Sequence, residues 1–437
     1  DGHPERHHFQ LAGDPQAADT LRSAGVGRAK TVYAFAEDTA ANLGTALTAK
    51  AVHRPGAENL TSYVHVEEPE LCQALRARRL GMAGDAGDRV DFVNSSELAA
   101  RVLVEGTRPN RVIRHLAIVG LGPFGRSLLL ELTRQQRALT GRTGRARLTV
   151  VDARVGEIME NLVARYPFLR HWDWTTIECP PSQFHLGGWS SDLPADSEPD
   201  QTYLCGADPV SALRGALTAV RLWHGDPQSL VVCLENSLTY GDVFQTEAEA
   251  LLDGLGGVLH IFGVLEAACR SEFDGQEMIE QLARSIHELY VTSCLSGEEV
   301  RTDNEVLAPW HELPETYLRS SRAQAAHVGL KLRAIGCMAA PTESGPNLFA
   351  FAENEVELLA ELEHQRWLDE RASDGWRYGL VRSQADQSSP SMVPWSQLSE
   401  ADRMKDREFV LALPGLLADV GLRIVRTGTR RSLRPVR

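Results

Sequence analysis

The chain has 437 residues, enough for two to four domains, and its hydrophobic content of 43% supports packed cores. The net charge of -14 argues against nucleic acid, or an anionic membrane surface, as the main partner. No stretch approaches the roughly 18 consecutive apolar residues of a membrane helix, and no signal peptide is visible. The seven cysteines form no Cys-x-x-Cys pair, which is typical of reduced thiols. We therefore expect a cytoplasmic protein.

Residues 9–110 alternate short apolar segments with amphipathic ones. This alternation predicts an α/β fold with a parallel, doubly wound sheet. The predicted strands lie at 9–14, 31–36, 62–66 and 90–93, and the predicted helices at 17–24, 42–52, 69–80 and 97–104.

The strongest motif is a glycine-rich turn at 115–127. An apolar run ends there in Gly120-x-Gly122-x-x-Gly125 and passes into an amphipathic segment. In a dinucleotide-binding unit the first glycine allows the tight turn, the second lets the backbone approach a phosphate, and the third lets helix and strand pack closely. A second apolar run ends at Asp152, where such units hold a ribose hydroxyl, and this acid favours NAD or an adenosine phosphate over NADP.

We expect a second Rossmann lobe over residues 111–265, with further strands at 148–151, 176–179, 203–206, 230–234 and 258–262. The carboxyl ends of parallel strands meet at one edge, so their tips would ring one crevice. The candidate cofactor-binding residues are Gly120, Gly122, Pro123, Phe124, Gly125, Asp152, Gly206 and Asp208. A tight strand-to-helix turn without any ligand is the alternative that this pattern leaves open.

Both lobes resemble the regulator-of-potassium-conductance family (RCK, similar to TrkA-N). The resemblance rests on Gly13-Asp14-Pro15 and Glu37-Asp38-x-x-x-Asn42 in the first lobe, and on the glycine-rich turn with Arg126-Ser127 in the second. The resemblance implies tandem lobes, of which the first is incomplete because its first strand and glycine turn are absent. We expect that the chain was cut upstream, since half a parallel sheet leaves an open edge. It also implies a homo-oligomer and a membrane channel or transporter part upstream in the same chain.

Residues 273–437 are predicted to be mainly α-helical and to contain an internal repeat. The segment around His287 matches the one around His364, and the segment around Trp310 matches the one around Trp395. From Trp310 and Trp395 onwards, equivalent residues of the two copies are always the same number of positions apart, without a gap, through the whole of the following helix. The two copies span 277–337 and 355–426, and each predicts a helix, a loop, a Pro-Trp entry and a second helix. Trp310 and Trp395 recur at the helix starts, so we expect them to pack in the core.

The copies resemble the repeat domain of ryanodine receptors (RyR). The pattern is Leu-Ala-x-x-x-His-x-x-Trp, then Gly-Trp-x-Tyr-Gly, then Pro-x-x-x-Leu-x-Glu; copy two fits all of it, whereas copy one has Tyr290 for the first tryptophan and lacks the second element. The resemblance implies a pseudo-twofold pair whose cleft takes an adenine nucleotide such as ATP or ADP. It makes these residues candidate ligand contacts in the repeat cleft: Tyr290, Trp367, Trp376, Tyr378, His287 and His364.

The sequence contains none of the common catalytic motifs. It has no H-E-x-x-H, G-x-S-x-G, Walker A lysine or C-x-x-C pattern, so we expect neither catalytic residues nor a metal site. The leading interpretation is a cytosolic ligand-sensing module that binds a nucleotide and allosterically gates an attached or associated ion channel or transporter. A soluble nucleotide-signal sensor of a bacterial defence system and an NAD-dependent enzyme are the alternatives, since a Rossmann unit alone excludes neither.

Overall fold

The computed structural model describes residues 9–54, 56–80, 88–106, 113–140, 145–179, 183, 198–206, 208–218, 229–236, 260–270, 277–296, 307–308, 310–342, 349–383 and 385–427. Within these ranges the chain is α/β, with two parallel sheets followed by a mainly helical region, as the sequence predicts. None of the helices described is both long enough and apolar enough to cross a membrane.

The first lobe contains a three-stranded parallel sheet in the order β1-β2-β3. Its elements are α1 (Ala18–Ser23), β1 (Thr31–Ala34), α2 (Thr39–Val52), β2 (Thr61–His65), α3 (Pro69–Arg79), β3 (Arg89–Val93) and α4 (Ser95–Gly106). Helix α2 begins where it does because the Asp38 carboxylate accepts the N–H groups of Ala40 and Ala41.

The strand predicted at 9–14 does not form, and that prediction is wrong. Residues 9–14 form no strand, and their side chains are mostly exposed to solvent: Phe9 is 92% exposed and Leu11 is 53% exposed. Without a neighbouring strand or buried apolar surface, nothing compensates for the entropy of ordering it.

The described residues of the second lobe contain a sheet of six parallel strands. Its elements are β4 (His115–Val119), α5 (Pro123–Thr140), β5 (Ala146–Asp152), α6 (Val155–Arg165), β6 (Trp172–Glu178), β7 (Gln201–Leu204), α7 (Pro209–Thr218), β8 (Leu230–Leu234), β9 (His260–Gly263) and α8 (Val264–Arg270). The order β6-β5-β4-β7-β8-β9 corresponds to 3-2-1-4-5-6 within the lobe, the order of dinucleotide-binding folds. Strands β4, β7 and β8 are buried at every residue, which explains their uninterrupted apolar runs.

The third region holds two helical hairpins, each followed by a strand. Its elements are α9 (Glu277–Ser296), α10 (Glu315–Ala334), β10 (Cys337–Pro341), α11 (Glu353–Ser373), β11 (Arg377–Tyr378), β12 (Ser388–Ser389), α12 (Glu400–Asp419) and β13 (Leu422–Arg426). Short 3-10 turns at Trp310–Glu312 and Trp395–Gln397 precede the second helix of each copy, where the sequence predicts the Pro-Trp entries.

Strands β10 and β13 place the two copies about a pseudo-twofold axis. They pair antiparallel, and Ala339 lies opposite Ile424, which is its own counterpart in the repeat. The flanking pairs, Cys337 with Arg426 and Pro341 with Leu422, exchange into one another when the copies are exchanged. The axis therefore passes through the centre of this two-stranded sheet.

Candidate functional site

The glycine-rich turn lies between β4 and β7, where the strand order of the second lobe reverses. Gly120 has φ +93°, and a Cβ on it would lie 2.5 Å from the carbonyl oxygen of Cys205, which follows β7. A Cβ on Gly125 would collide with the carbonyl oxygen of Gly120. The first and third glycines are therefore required by backbone packing alone.

Gly122 is a different kind of position. It is exposed, and a Cβ on it would meet no atom within 4 Å. Helix α5 begins at Pro123, and its first turn contains no acidic residue. The positive end of the helix dipole therefore lies beside the exposed Gly122, which is an arrangement that favours an anion.

Asp152 ends β5 and ties the turn to that strand. Its Oδ2 accepts the N–H of Leu121 at 2.8 Å, and its Oδ1 accepts the N–H of Arg154 at 3.0 Å. A carboxylate oxygen accepts more than one hydrogen bond, so both atoms keep capacity for a hydroxyl donor. The position is thus compatible with a ribose contact in addition to its structural one.

The remaining candidates in this lobe are divided between the crevice and the core. Asp208 is exposed and caps α7, because its Oδ2 accepts the N–H (2.9 Å) and the hydroxyl (2.5 Å) of Ser211; these bonds lower the pKa of Asp208. Gly206 precedes this cap. Phe124, in contrast, is buried and stacks on Phe262 with ring centroids 5.9 Å apart, so its side chain packs in the core.

The two candidate histidines of the repeats occupy equivalent positions. His287 Nε2 lies 3.0 Å from the carbonyl oxygen of Ala308, and His364 Nε2 lies 2.8 Å from that of Val393, the repeat counterpart of Ala308. Their rings lie 5.8 Å and 5.9 Å from Trp310 and Trp395, respectively. Each histidine therefore fixes the loop that precedes the second helix of its copy, and the sequence repeat is also a repeat of contacts.

The charge environments of these histidines differ. His364 Nδ1 lies 3.6 Å from Asp406 Oδ2, whereas Ser321 stands at the counterpart position of Asp406 in copy one. Burial opposes protonation of His364, but the hydrogen bonds and charge of its neighbours, with Asp406 foremost, outweigh it and raise the pKa of His364. Burial lowers the pKa of His287, and the hydrogen bond to Ala308 only partly offsets it.

Copy two gathers the aromatic candidates into one cluster around an arginine. Trp367 stacks on His364 with ring centroids 5.8 Å apart, and the Arg371 guanidinium lies 6.0 Å from the Trp367 ring and 5.0 Å from the Trp376 ring. Tyr378, which is 55% exposed, follows Trp376 closely in the chain. We call Trp367, Arg371 and Trp376 the aromatic cluster.

Tyr290 is not part of this cluster. It lies on α9, which packs mainly against α10 and α12, whereas Trp367 lies on α11. The predicted pair of stacking walls therefore stands on two helices that are not main packing partners.

The sequence prediction omitted Arg371 and Arg382 from the site. The Arg382 guanidinium lies 5.9 Å from the Trp376 ring, and Arg371 Nε is buried with no hydrogen-bond partner. In the part of the chain that the structure covers, neither arginine forms an ion pair with a carboxylate. The i, i+4 spacing of Trp367 and Arg371 is the signal that could have found one of them, because it places both on one helix face.

The described residues contain no group of three or more histidine, cysteine, aspartate or glutamate side chains placed to hold a metal ion. A family model described as the RyR domain matches residues 344–426. This interval includes copy two with the whole aromatic cluster, and it does not extend to copy one or to the two lobes. That segment is therefore similar to the RyR domain family.

Proposed function

We propose that this protein is a cytosolic ligand-sensing module that binds a nucleotide and couples its binding to the arrangement of its lobes and repeats. The observation that carries this proposal is the position of the glycine-rich turn at the switch point of a six-stranded sheet, with open space above Gly122. The resemblance of both lobes to conductance regulators makes an ion channel or transporter the target that the module would gate.

The switch point suits a nucleotide with a free ribose hydroxyl. A phosphate would sit on the N–H groups at the start of α5, and Asp152 would accept from the ribose. Because a carboxylate at this position repels a 2′-phosphate, NAD, ATP or ADP fits better than NADP.

The aromatic cluster supports a second nucleotide site. An indole face stacks on a base with a gain of about 1–3 kcal/mol per base, and an arginine binds phosphate through charge-assisted hydrogen bonds. Trp367 is partly exposed and supplies the face, whereas Trp376 is buried and supports Arg371 and Arg382, two cations that form no ion pair with a carboxylate among the described residues. The RyR-domain similarity covers all four residues.

A chain of polar contacts supports coupling between the switch-point site and copy one of the repeats. Helix α5 starts at the glycine-rich turn, and its Glu131 Oε1 lies 3.4 Å from Arg284 Nη1 on α9. Arg284 Nε lies 4.0 Å from Glu280, which also accepts the indole N–H of Trp310 at 3.0 Å. A ligand that shifts α5 would thus act on copy one through side chains already in contact.

The junction of both lobes with α9 is densely charged. Arg76 Nη1 lies 2.5 Å from Glu97 Oε2, and Arg101 forms an ion pair with Glu277. Burial alone would raise the pKa of Glu277, but Arg101 and Arg76 outweigh it and lower the value to about 2. These side chains line a cavity of about 20 Å³ between α3, α4, α5 and α9. The ion pairs join α3 to α4 and α4 to α9, which suits an interface that transmits a rearrangement.

Calorimetric titration with NAD, ATP and ADP tests the switch-point site, with Gly122→Ala as the probe. A methyl group there meets no protein atom but occupies the space that a phosphate needs, so we expect a folded variant whose affinity falls at least tenfold. Gly156→Ala is the matched control, because a Cβ at Gly156 in α6 also meets nothing within 4 Å. Unchanged affinity in Gly122→Ala would place the ligand elsewhere.

Tryptophan fluorescence with the same nucleotides tests the aromatic cluster. Trp367→Ala should abolish the response, whereas Trp174→Ala, which removes a 38% exposed tryptophan from β6, should preserve it. If no nucleotide binds at millimolar concentration, the second site does not exist.

The order 3-2-1-4-5-6 is shared with NAD-dependent enzymes, and this observation favours one alternative. Incubation of the protein with NAD distinguishes the two functions. Sustained consumption of the cofactor would replace the sensor by an enzyme, whereas binding without turnover supports the sensor.

A further inference from the structure

The two repeats contact each other through two seams that the pseudo-twofold axis relates. Helix α9 packs against α12, and α10 packs against α11. Because α9 corresponds to α11 and α10 to α12, each residue of one seam has its repeat counterpart in the other. The two seams can therefore be compared position by position within one molecule, and they meet where Lys331 Nζ lies 5.5 Å from the centre of the Phe409 ring.

Their chemistry is opposite. The apolar seam consists of Ile286 and Leu289 on α9 with Phe409, Ala412 and Leu416 on α12, all within one hydrophobic cluster. At the counterpart positions the polar seam has Glu363 and Arg366 on α11 with Gln324, His327 and Lys331 on α10. Each of these five apolar residues is thus replaced by a polar or charged residue at its counterpart position.

A buried ion pair occupies the centre of the polar seam. Lys331 is fully buried, and its Nζ lies 2.5 Å from Glu363 Oε2 and 3.0 Å from His327 Nδ1. The other carboxylate oxygen of Glu363 accepts from Gln324 Nε2 at 3.0 Å and from Arg366 Nη2 at 2.8 Å. The charges are therefore held by a hydrogen-bonded network that spans α10 and α11.

A second ion pair extends this contact. Arg319 on α10 donates to both carboxylate oxygens of Asp374, which follows α11, at 2.7 Å and 2.8 Å. The pair is partly exposed to solvent. Water can therefore compete for it at the edge of the seam.

The two seams respond differently to separation. Separating the apolar seam exposes hydrocarbon to water, and no favourable hydration offsets that free-energy cost. Separating the polar seam lets water hydrate the charges of Lys331 and Glu363. This hydration offsets much of the electrostatic attraction that is lost between them. The polar seam is consequently the easier one to open, and the apolar seam is suited to remain closed.

We propose that the repeat pair is a one-sided hinge: the apolar seam is the pivot, and the polar seam opens and closes. The aromatic cluster begins at Trp367, directly after Arg366 of the polar seam, so a ligand held there acts on α11 beside the moving contact. The hinge rests on the proposed function only for its trigger, the nucleotide.

Hydrogen exchange of the full chain tests the hinge without any ligand. After correction for intrinsic rates, we expect amides in 324–332 and 359–366 to be at least tenfold less protected than their counterparts in 409–417 and 282–289. Equal protection of the two seams would overturn the proposal.

The double variant Lys331→Leu/Glu363→Ile installs the residues of the apolar seam in the polar one. We expect at least tenfold greater protection in 324–332 and 359–366, with 282–289 and 410–417 unchanged; Phe409 is left out of the comparison because Lys331 contacts its ring. Ile286→Leu/Leu416→Ile is the volume-conserving control and should change neither seam. A folded double variant with unaltered exchange contradicts the hinge; if it does not fold, the wild-type comparison still decides.

A nucleotide arm separates this inference from the proposed function. If ATP, ADP or NAD binds at the aromatic cluster and alters exchange in the polar seam, the hinge is supported. If the nucleotide binds and the polar seam does not respond, the hinge is wrong while the sensor stands. If none binds, the proposed site fails, and the ligand-free comparison still tests the hinge.

Discussion

The side-chain amide of Gln73, on α3 of the first lobe, donates a hydrogen bond to the carbonyl oxygen of Val420 at the end of copy two, 2.5 Å away. The same amide donates to the hydroxyl of Tyr166 in the second lobe at 3.2 Å. Gly421, with φ +69°, follows directly, and a Cβ on it would lie 2.5 Å from both Gln73 Nε2 and Tyr166 Cε1. The end of the repeat pair is therefore inserted between the two lobes.

Gly421→Ala should destabilise the protein more than Gly336→Ala. Both glycines have φ +69°, so each substitution carries backbone strain of about 1–2 kcal/mol. Gly421→Ala adds a collision with two lobes, for which overpacking predicts about 1–3 kcal/mol more. Urea denaturation measures the difference, and hydrogen exchange should show lost protection in α3. Equal free energies of unfolding for the two variants would contradict the insertion.

The Lys331–Glu363 pair should give strongly non-additive mutants. Glu363→Ile alone leaves the Lys331 ammonium buried without a carboxylate and should cost about 3–5 kcal/mol, whereas Lys331→Leu alone should cost less, because Arg366 still pairs with Glu363. The double variant should be neutral or more stable by about 1–4 kcal/mol. A double-mutant cycle in urea measures the coupling. Additive losses would show that the charges do not depend on each other.

His364 should titrate above the ordinary value of 6.5 and His287 below it. The stability that His364 contributes is fully present below pH 6.5 and is lost as the pH rises through its raised pKa. For His287 the sign is opposite: its contribution is present above pH 6.5 and is lost as the pH falls through its lowered pKa. Proton NMR of the two imidazoles follows both titrations.

Asp406→Ser, which copies Ser321 of copy one, identifies the cause of the difference. It should lower the pKa of His364 toward that of His287 and leave His287 unchanged. An unaltered His364 titration would assign the shift to another neighbour.

The three glycines of the turn should differ in stability as well as in binding. Gly125→Ala forces a methyl group against the Gly120 carbonyl and should cost at least about 3 kcal/mol, beyond typical overpacking, because backbone atoms cannot rotate away. Gly122→Ala should change the free energy of unfolding by less than about 0.5 kcal/mol, as surface substitutions do. Thermal denaturation compares the two variants. Similar losses of stability for both would contradict the close packing of Gly125 against the Gly120 carbonyl.

Local signals predicted much of the fold because they report on burial and backbone geometry. The apolar run before Gly120 and the spacing of the three glycines predicted β4, the turn and α5. The constant offset between the copies predicted that Trp310 and Trp395 begin equivalent segments. Each of these signals lies within a few residues of the structure that it specifies.

What the sequence did not predict depends on long-range packing. The wrong strand at 9–14 had a suitable pattern but no partner in the sheet. The sequence did not indicate that Phe262, far away in the chain, would hold the ring of Phe124 in the core. The polar seam was missed because Lys331 and Glu363 look like solvated helix residues until two helices enclose them.

The pairing of Ala339 with Ile424 limits how far the repeat architecture can grow. Each copy uses the same strand surface to bind the other, and such a self-complementary contact is saturated by a single partner. A third copy added in tandem would find the strand edge used for this contact already occupied. The two copies therefore form a closed pair through these strands, unlike solenoid repeats, which extend through head-to-tail contacts.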